Sequence, residues 1–295
     1  MKNTLFTGAG VAIVTPFDKN GAINYIRLSE LIENQIKNGT DAIIIAGTTG
    51  EAATLTTIEH IQLIKYTVQV VNKRVPVICG CGSNDTSFAV KLCNECERVG
   101  VDGLLMVTPY YNKTSQKGLI EHFSFVADRV STPIILYNVP SRTGVNIQPE
   151  TYSVLCKHKN IVAAKEANGD ISALAKTMSL CGDELDIYSG NDDQIAAFTA
   201  MGGKGVISVL SNVLPKETHE MAQSGVEGNI KKSVEMQLKY LRLCNDLFMD
   251  VNPIPVKEAL NMMGYAVGGY RLPLTQMTEE NKAKLKDTLA FYGLV

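Results

Sequence analysis

The chain has 295 residues, 45% of them hydrophobic and 20% charged, with a formal net charge of −2. That composition suits a globular protein with one large core, and it offers no basic excess for nucleic acid and no Lys/Arg cluster for a membrane surface. No stretch approaches the ~20 apolar residues of a membrane span, and the short run Val11 to Val14, followed by Thr15, Pro16 and Asp18, is no secretory signal, so a soluble, cytoplasmic protein is expected.

Eight short β-rich runs recur along the chain: Val11–Thr15, Ala42–Ala46, Val77–Cys81, Leu104–Thr108, Ile134–Tyr137, Ile161–Lys165, Asp186–Ser189 and Val206–Val209. Most are almost continuously apolar, as parallel strands covered on both faces are. Helical stretches alternate with them. Ile26, Leu28, Leu31, Ile32 and Ile36 form one expected apolar stripe, and Ile58, Ile61, Ile64, Val68 and Val71 another. Gly39, Gly100 and Gly182 read as helix ends, and Gln148-Pro149-Glu150 as a helix start. Eight strand–helix units in about 225 residues match a (β/α)8 barrel, an α/β fold of parallel βαβ units. A doubly wound open sheet is the alternative, weakened because no GxGxxG follows the first strand. Strand signals stop after Pro215, and residues 230–249, 253–264 and 278–292 read as helices. The expected division is a catalytic barrel over 1–225 and a helical extension over 226–295 packed on it.

Seven cysteines, an odd number, argue for a reducing compartment rather than a disulfide scaffold. Cys93-Asn94-Glu95-Cys96 has a metal-like spacing but lies in a helical pattern, where Cys serves as a small apolar residue. Cys79 and Cys81 are expected on opposite faces of their strand. The four histidines, His60, His122, His158 and His219, show no metal spacing.

A barrel of this type carries its chemistry at the C-terminal ends of its strands. There lie Gly47-Thr48-Thr49-Gly50-Glu51, Thr108-Pro109-Tyr110-Tyr111-Asn112, Tyr137-Asn138-Val139-Pro140 with Ser141-Arg142-Thr143-Gly144, Lys165-Glu166, Ser189-Gly190-Asn191-Asp192-Asp193 and Gly205-Val206-Ile207-Ser208. Lys165 extends an apolar strand to the barrel mouth. Desolvation there favours the neutral amine that attacks a carbonyl to form an imine; the alternative is a lysine paired with Glu166. The Gly47–Glu51 loop is either an anion-binding turn with two hydroxyl donors or an ordinary βα turn. Tyr137 is either a proton shuttle or a core tyrosine, and Arg142 either a bidentate carboxylate clamp or a surface arginine.

These motifs, in this order, resemble the dihydrodipicolinate synthase family, within the wider pyruvate aldolase group that includes N-acetylneuraminate lyase. The resemblance runs from Thr15-Pro16-Phe17 to the C-terminal helices. It implies a lyase that condenses pyruvate with L-aspartate 4-semialdehyde, through a Schiff base on Lys165, to 4-hydroxy-tetrahydrodipicolinate for lysine and diaminopimelate biosynthesis. It further implies Tyr137 as proton donor and acceptor, Thr48 and Tyr111 as its relay, Thr49 as ligand of the pyruvate carboxylate, Gly190 and Ile207 as pocket lining, and Arg142 as receiver of the semialdehyde carboxylate. No metal or organic cofactor is implied. Tyr111 is expected to reach a neighbouring subunit's site in a homotetramer built as a dimer of dimers.

In lysine-inhibited members an interface cleft binds the effector. Asn84, Tyr110 and His60 are retained for it, but the glutamate that binds the effector's amino group corresponds to Phe88, and positions often Ser and His are Ala52 and Thr57. Weak or absent inhibition by lysine is therefore expected. A different Schiff-base aldolase, for sialic or keto-deoxy-sugar acids, is the alternative within the group; Ser141-Arg142-Thr143 and Thr48 favour the short carboxylated aldehyde. A non-catalytic ligand-binding barrel is the alternative outside it, though no catalytic group is missing.

Overall fold

The computed structural model describes residues 2–295. Eight parallel strands close into a barrel in sequence order: β1 Gly8–Ala12, β2 Ala42–Ile45, β3 Val77–Gly80, β4 Gly103–Val107, β5 Ile134–Asn138, β6 Ile161–Glu166, β7 Asp186–Ser189 and β8 Gly205–Ser208. The connecting helices are α1 Tyr25–Lys37, α2 Thr57–Val71, α3 Thr86–Val99, α4 Gln116–Ala127, α5 Pro140–Thr143, α6 Pro149–Leu155, α7 Ile171–Cys181, α8 Ile195–Ala200 and α9 Pro215–Val226. Three more follow, α10 Ile230–Asp246, α11 Ile254–Met262 and α12 Glu279–Phe291. Among the described residues no helix is long and apolar enough to cross a membrane.

Strand alternation divides the core in two. Ala12, Ile44, Ile78, Leu105, Ile135, Ala163 and Ile207 pack inside the barrel, where Tyr188 stacks on Phe6 at 4.3 Å between ring centroids. Their sequence neighbours, such as Val11, Ile43, Cys79, Leu104, Leu136, Ala164 and Val206, pack outward against the helices. The near-continuous apolar runs thus serve two cores at once.

The first strand begins three residues earlier than the sequence suggests. Gly8 pairs with Gly205, and a Cβ on Gly205 would lie 1.8 Å from the Gly8 carbonyl oxygen. Glycine is poor in intrinsic strand preference, so the pattern of β-branched residues misses a contact only glycine permits. Two stripe members also fall elsewhere: Ile26 and Ile58 are exposed, and the buried face of α2 runs through His60, Leu63, Ile64, Thr67 and Val71. Each of the two lies in its helix's first turn, off the angle of the stripe that follows.

All seven cysteines are buried and free. Cys79 and Cys81 do not diverge: residues two apart share a strand face, and both pack toward α3, where the Cys93 Sγ lies 3.3 Å from that of Cys81.

Candidate active site

Lys165 sits near the end of β6, paired in register with Tyr137 of β5 on one side and Tyr188 of β7 on the other. Its side chain turns into the barrel mouth and is 6% exposed. The Nζ lies 4.3 Å from the centroid of the Tyr137 ring. Among the described residues Lys165 makes no ion pair. The expected alternative, a pair with Glu166, fails because adjacent strand residues face opposite ways. Glu166 instead lies on the helix side, accepting from Asn138 Nδ2 at 3.0 Å, Tyr152 Oη at 3.0 Å and the Asn168 amide at 2.9 Å. Burial pushes its carboxyl up to about 7, and these donors hold it from rising further.

Gly190, just after β7, has no room for a side chain. A Cβ there would lie 2.7 Å from the Ala167 Cβ and 3.1 Å from the Lys165 Cε. Its amide donates to the Glu166 carbonyl at 2.7 Å, which locks the end of β7 to that of β6 beside the amine. Ile207 of β8 is fully buried in the barrel interior with Tyr137.

The Gly47–Glu51 loop is held from below. Glu51 takes a left-handed conformation, φ 54°, and its carboxylate lies 2.7 Å from the Lys257 Nζ of α11. Both groups are fully buried, and Lys257 also donates to the carbonyls of Thr15 at 3.0 Å and Gly269 at 2.5 Å. Burial lowers the Lys257 pKa, while the Glu51 carboxylate opposes that shift. Thr49 is buried, and its Oγ1 accepts from Asn252 Nδ2 at 3.0 Å. Thr48 is exposed toward a cavity of 510 Å³.

That cavity is lined by Thr48, Tyr137, Arg142 and Asn252, and also by Ala52, Thr57, His60, Ser83, Phe88 and Tyr110. Arg142 is carried by α5, which begins at Pro140 and is capped after Thr143 by Gly144, φ 70°. Its Nη2 approaches the Asn252 carbonyl at 3.4 Å. The fold therefore brings Thr48, Tyr137 and Arg142 to one cavity, with Lys165 against Tyr137, Gly190 against Lys165, and Thr49 joined to Arg142 through Asn252. Tyr111 is not among them: it is 90% exposed, with φ 68°, and lines no part of the cavity.

Two residues of the site carried no usable signal in sequence. Asp192 is fully buried after β7, and its Oδ2 accepts from the amides of Val209 at 3.0 Å and Leu210 at 2.8 Å, while Oδ1 has no partner. Burial raises its pKa, and the hydrogen bonds it accepts do more than Lys165 to hold that rise back. Its place in the Asn191-Asp192-Asp193 run was visible; which acid turns inward was not. Asn252 lies in a segment that reads only as a helix start.

The dihydrodipicolinate synthetase family model matches residues 5–291. The chain belongs to this family. Among its relatives, the 4-hydroxy-tetrahydrodipicolinate synthase of Acetivibrio thermocellus is 55% identical over the whole of both chains. The crystal structure of dihydrodipicolinate synthase from Aquifex aeolicus superposes with a TM-score of 0.95 at 43% identity, covering 98% of this chain and 99% of that one. A chloride-inhibited dihydrodipicolinate synthase from Acinetobacter baumannii, complexed with pyruvate, superposes with a TM-score of 0.97 at 40% identity, covering 99% and 100%. The barrel and its C-terminal helices are thus the family's architecture from end to end.

Proposed function

We propose that this chain is a lyase that condenses pyruvate with L-aspartate 4-semialdehyde to give 4-hydroxy-tetrahydrodipicolinate, the reaction named for its relatives. One observation carries the chemistry: a buried lysine with no ion-pair partner among the described residues, its Nζ 4.3 Å from the ring centroid of a tyrosine on the adjacent strand. An unpaired lysine at the mouth of a barrel is a nucleophile for a carbonyl.

In this reading the Lys165 amine adds to the C2 carbonyl of pyruvate, and loss of water leaves an imine. Removal of a C3 proton gives an enamine, whose C3 attacks the aldehyde carbon. The amine of the second substrate then displaces Lys165 at C2, closing the ring and freeing the lysine. Tyr137 moves the protons, since its phenol is the acid–base group beside Nζ, and Thr48 and Tyr111 relay them. Thr49 binds the pyruvate carboxylate, and Gly190 and Ile207 shape its pocket. Arg142, exposed at the cavity, receives the carboxylate of the semialdehyde. The imine nitrogen is itself the electron sink, so the scheme calls on no metal or organic cofactor.

Tyr111 enters this scheme only from a neighbouring copy, which its exposure and outward position support. The working assembly is accordingly a cytoplasmic homotetramer, a dimer of dimers, in lysine and diaminopimelate biosynthesis. Initial rates separate this reading from that of a sugar-acid aldolase. Turnover of pyruvate with aspartate semialdehyde is expected, with no pyruvate released from N-acetylneuraminate; the reverse pattern refutes it.

A further inference from the structure

Asn252 belongs to no regular element and lies just before α11, yet it touches both arms of the site. Its Nδ2 donates to the Thr49 Oγ1 at 3.0 Å across 203 residues of chain. Its backbone carbonyl accepts from Arg142 Nη2 at 3.4 Å. It lines the same cavity as Thr48, Tyr137 and Arg142, and is itself buried. Its Oδ1 is buried without a partner.

A threonine hydroxyl has one proton to give and two lone pairs that accept. If nothing held it, the Thr49 proton could turn to any nearby acceptor. Because the Asn252 amide donates into Thr49 Oγ1, one lone pair is occupied and the rotor is constrained. The Thr49 proton remains available to an incoming anion. The Arg142 contact is long for a hydrogen bond, and it uses a backbone oxygen that any side-chain substitution leaves in place.

We propose that Asn252 is a positioning residue that orients the Thr49 hydroxyl as a donor to the pyruvate carboxylate, and that its side chain serves the pyruvate subsite alone. This rests on Thr49 being a pyruvate ligand. The side chain acts on the first substrate, and the second reaches Asn252 only through the main chain.

The test is a double-mutant cycle of Asn252→Ala and Thr49→Val in the intact enzyme. It is read by the pyruvate concentration giving half-maximal borohydride trapping, together with KM for each substrate. Asn252→Ala is expected to raise the half-trapping concentration and the pyruvate KM about tenfold. The semialdehyde KM should stay within about threefold, and Thr49→Val should make Asn252→Ala silent. Asn252→Ser, which retains a hydroxyl donor at this position, should recover part of the loss and serves if the alanine variant does not fold. A lowered melting temperature and kcat with the pyruvate requirement unchanged would make Asn252 merely structural and overturn the proposal, as would additive effects in the cycle. If Thr49→Val alone leaves pyruvate binding intact, the assignment of Thr49 fails first, and the positioning role falls with it.

Discussion

At the scale of single residues, the site sets two neighbours to opposite tasks. Lys165 faces the barrel mouth unpaired, while Glu166 faces the helix layer among three hydrogen-bond donors. The Glu166 carboxyl titrates near 7 in the folded protein against an ordinary 4.5. Between those values the folded state holds a proton that the unfolded chain releases. The stability this contributes is complete below pH 4.5 and is lost as the pH rises through 7, by an amount on the order of 3 kcal/mol. Glu166→Gln, which is neutral throughout, should therefore gain stability relative to wild type between pH 5 and pH 8. Urea unfolding of both proteins at the two pH values measures this, and a difference independent of pH contradicts it. The chemistry of Lys165 could be suspected from its place on an apolar strand. The pair with Glu166, kept open as the alternative, fails by strand alternation, a rule the adjacency of the two residues obscured. Asp192 and Asn252 escaped because acids and amides are ordinary in loops, and only burial marks these two.

At the scale of elements, α11 and the segment after it hold the Gly47–Glu51 loop in place. Lys257 neutralises Glu51 inside the protein, the Arg271 amide donates to Glu51 Oε2 at 3.2 Å, and the Arg271 guanidinium grips Glu59 of α2 and the carbonyls of Gly21 and Thr54. Removing the cation leaves a buried carboxylate uncompensated, which costs about 3–5 kcal/mol. Lys257→Met should lower unfolding stability by that amount, and adding Glu51→Gln should restore part of it. A loss below about 1 kcal/mol would mean the pair is not what secures the loop. The helices themselves were legible from their apolar spacing and caps. Their clamp on the loop was not, since Glu51 and Lys257 lie 206 positions apart and no local pattern links them.

At the scale of the whole molecule, the eightfold alternation of strand and helix was enough to indicate the barrel, because eight parallel strands of this spacing close in few other ways. The missed start of β1 came from Gly8 and Gly205, whose contact is a property of the closed barrel and of neither strand alone. The cavity that holds Thr48, Tyr137 and Arg142 is also lined by His60, Phe88 and Tyr110, three positions that the family resemblance associates with effector binding in lysine-inhibited members. Burial lowers the His60 pKa, and the His60 Nε2 lies 2.7 Å from the Gly80 carbonyl. By that resemblance Phe88, which lines the cavity, replaces the carboxylate that an effector's ammonium would need. Lysine in the millimolar range should inhibit the initial rate weakly or not at all, and clear inhibition would show that another group receives its amine.

All of these roles turn on Lys165 being the residue that captures pyruvate. Borohydride reduction in the presence of pyruvate, followed by peptide mass spectrometry, tests that directly. A reduced pyruvate adduct on the peptide bearing Lys165, abolished in Lys165→Ala, is the expected result; an adduct that persists in Lys165→Ala contradicts it.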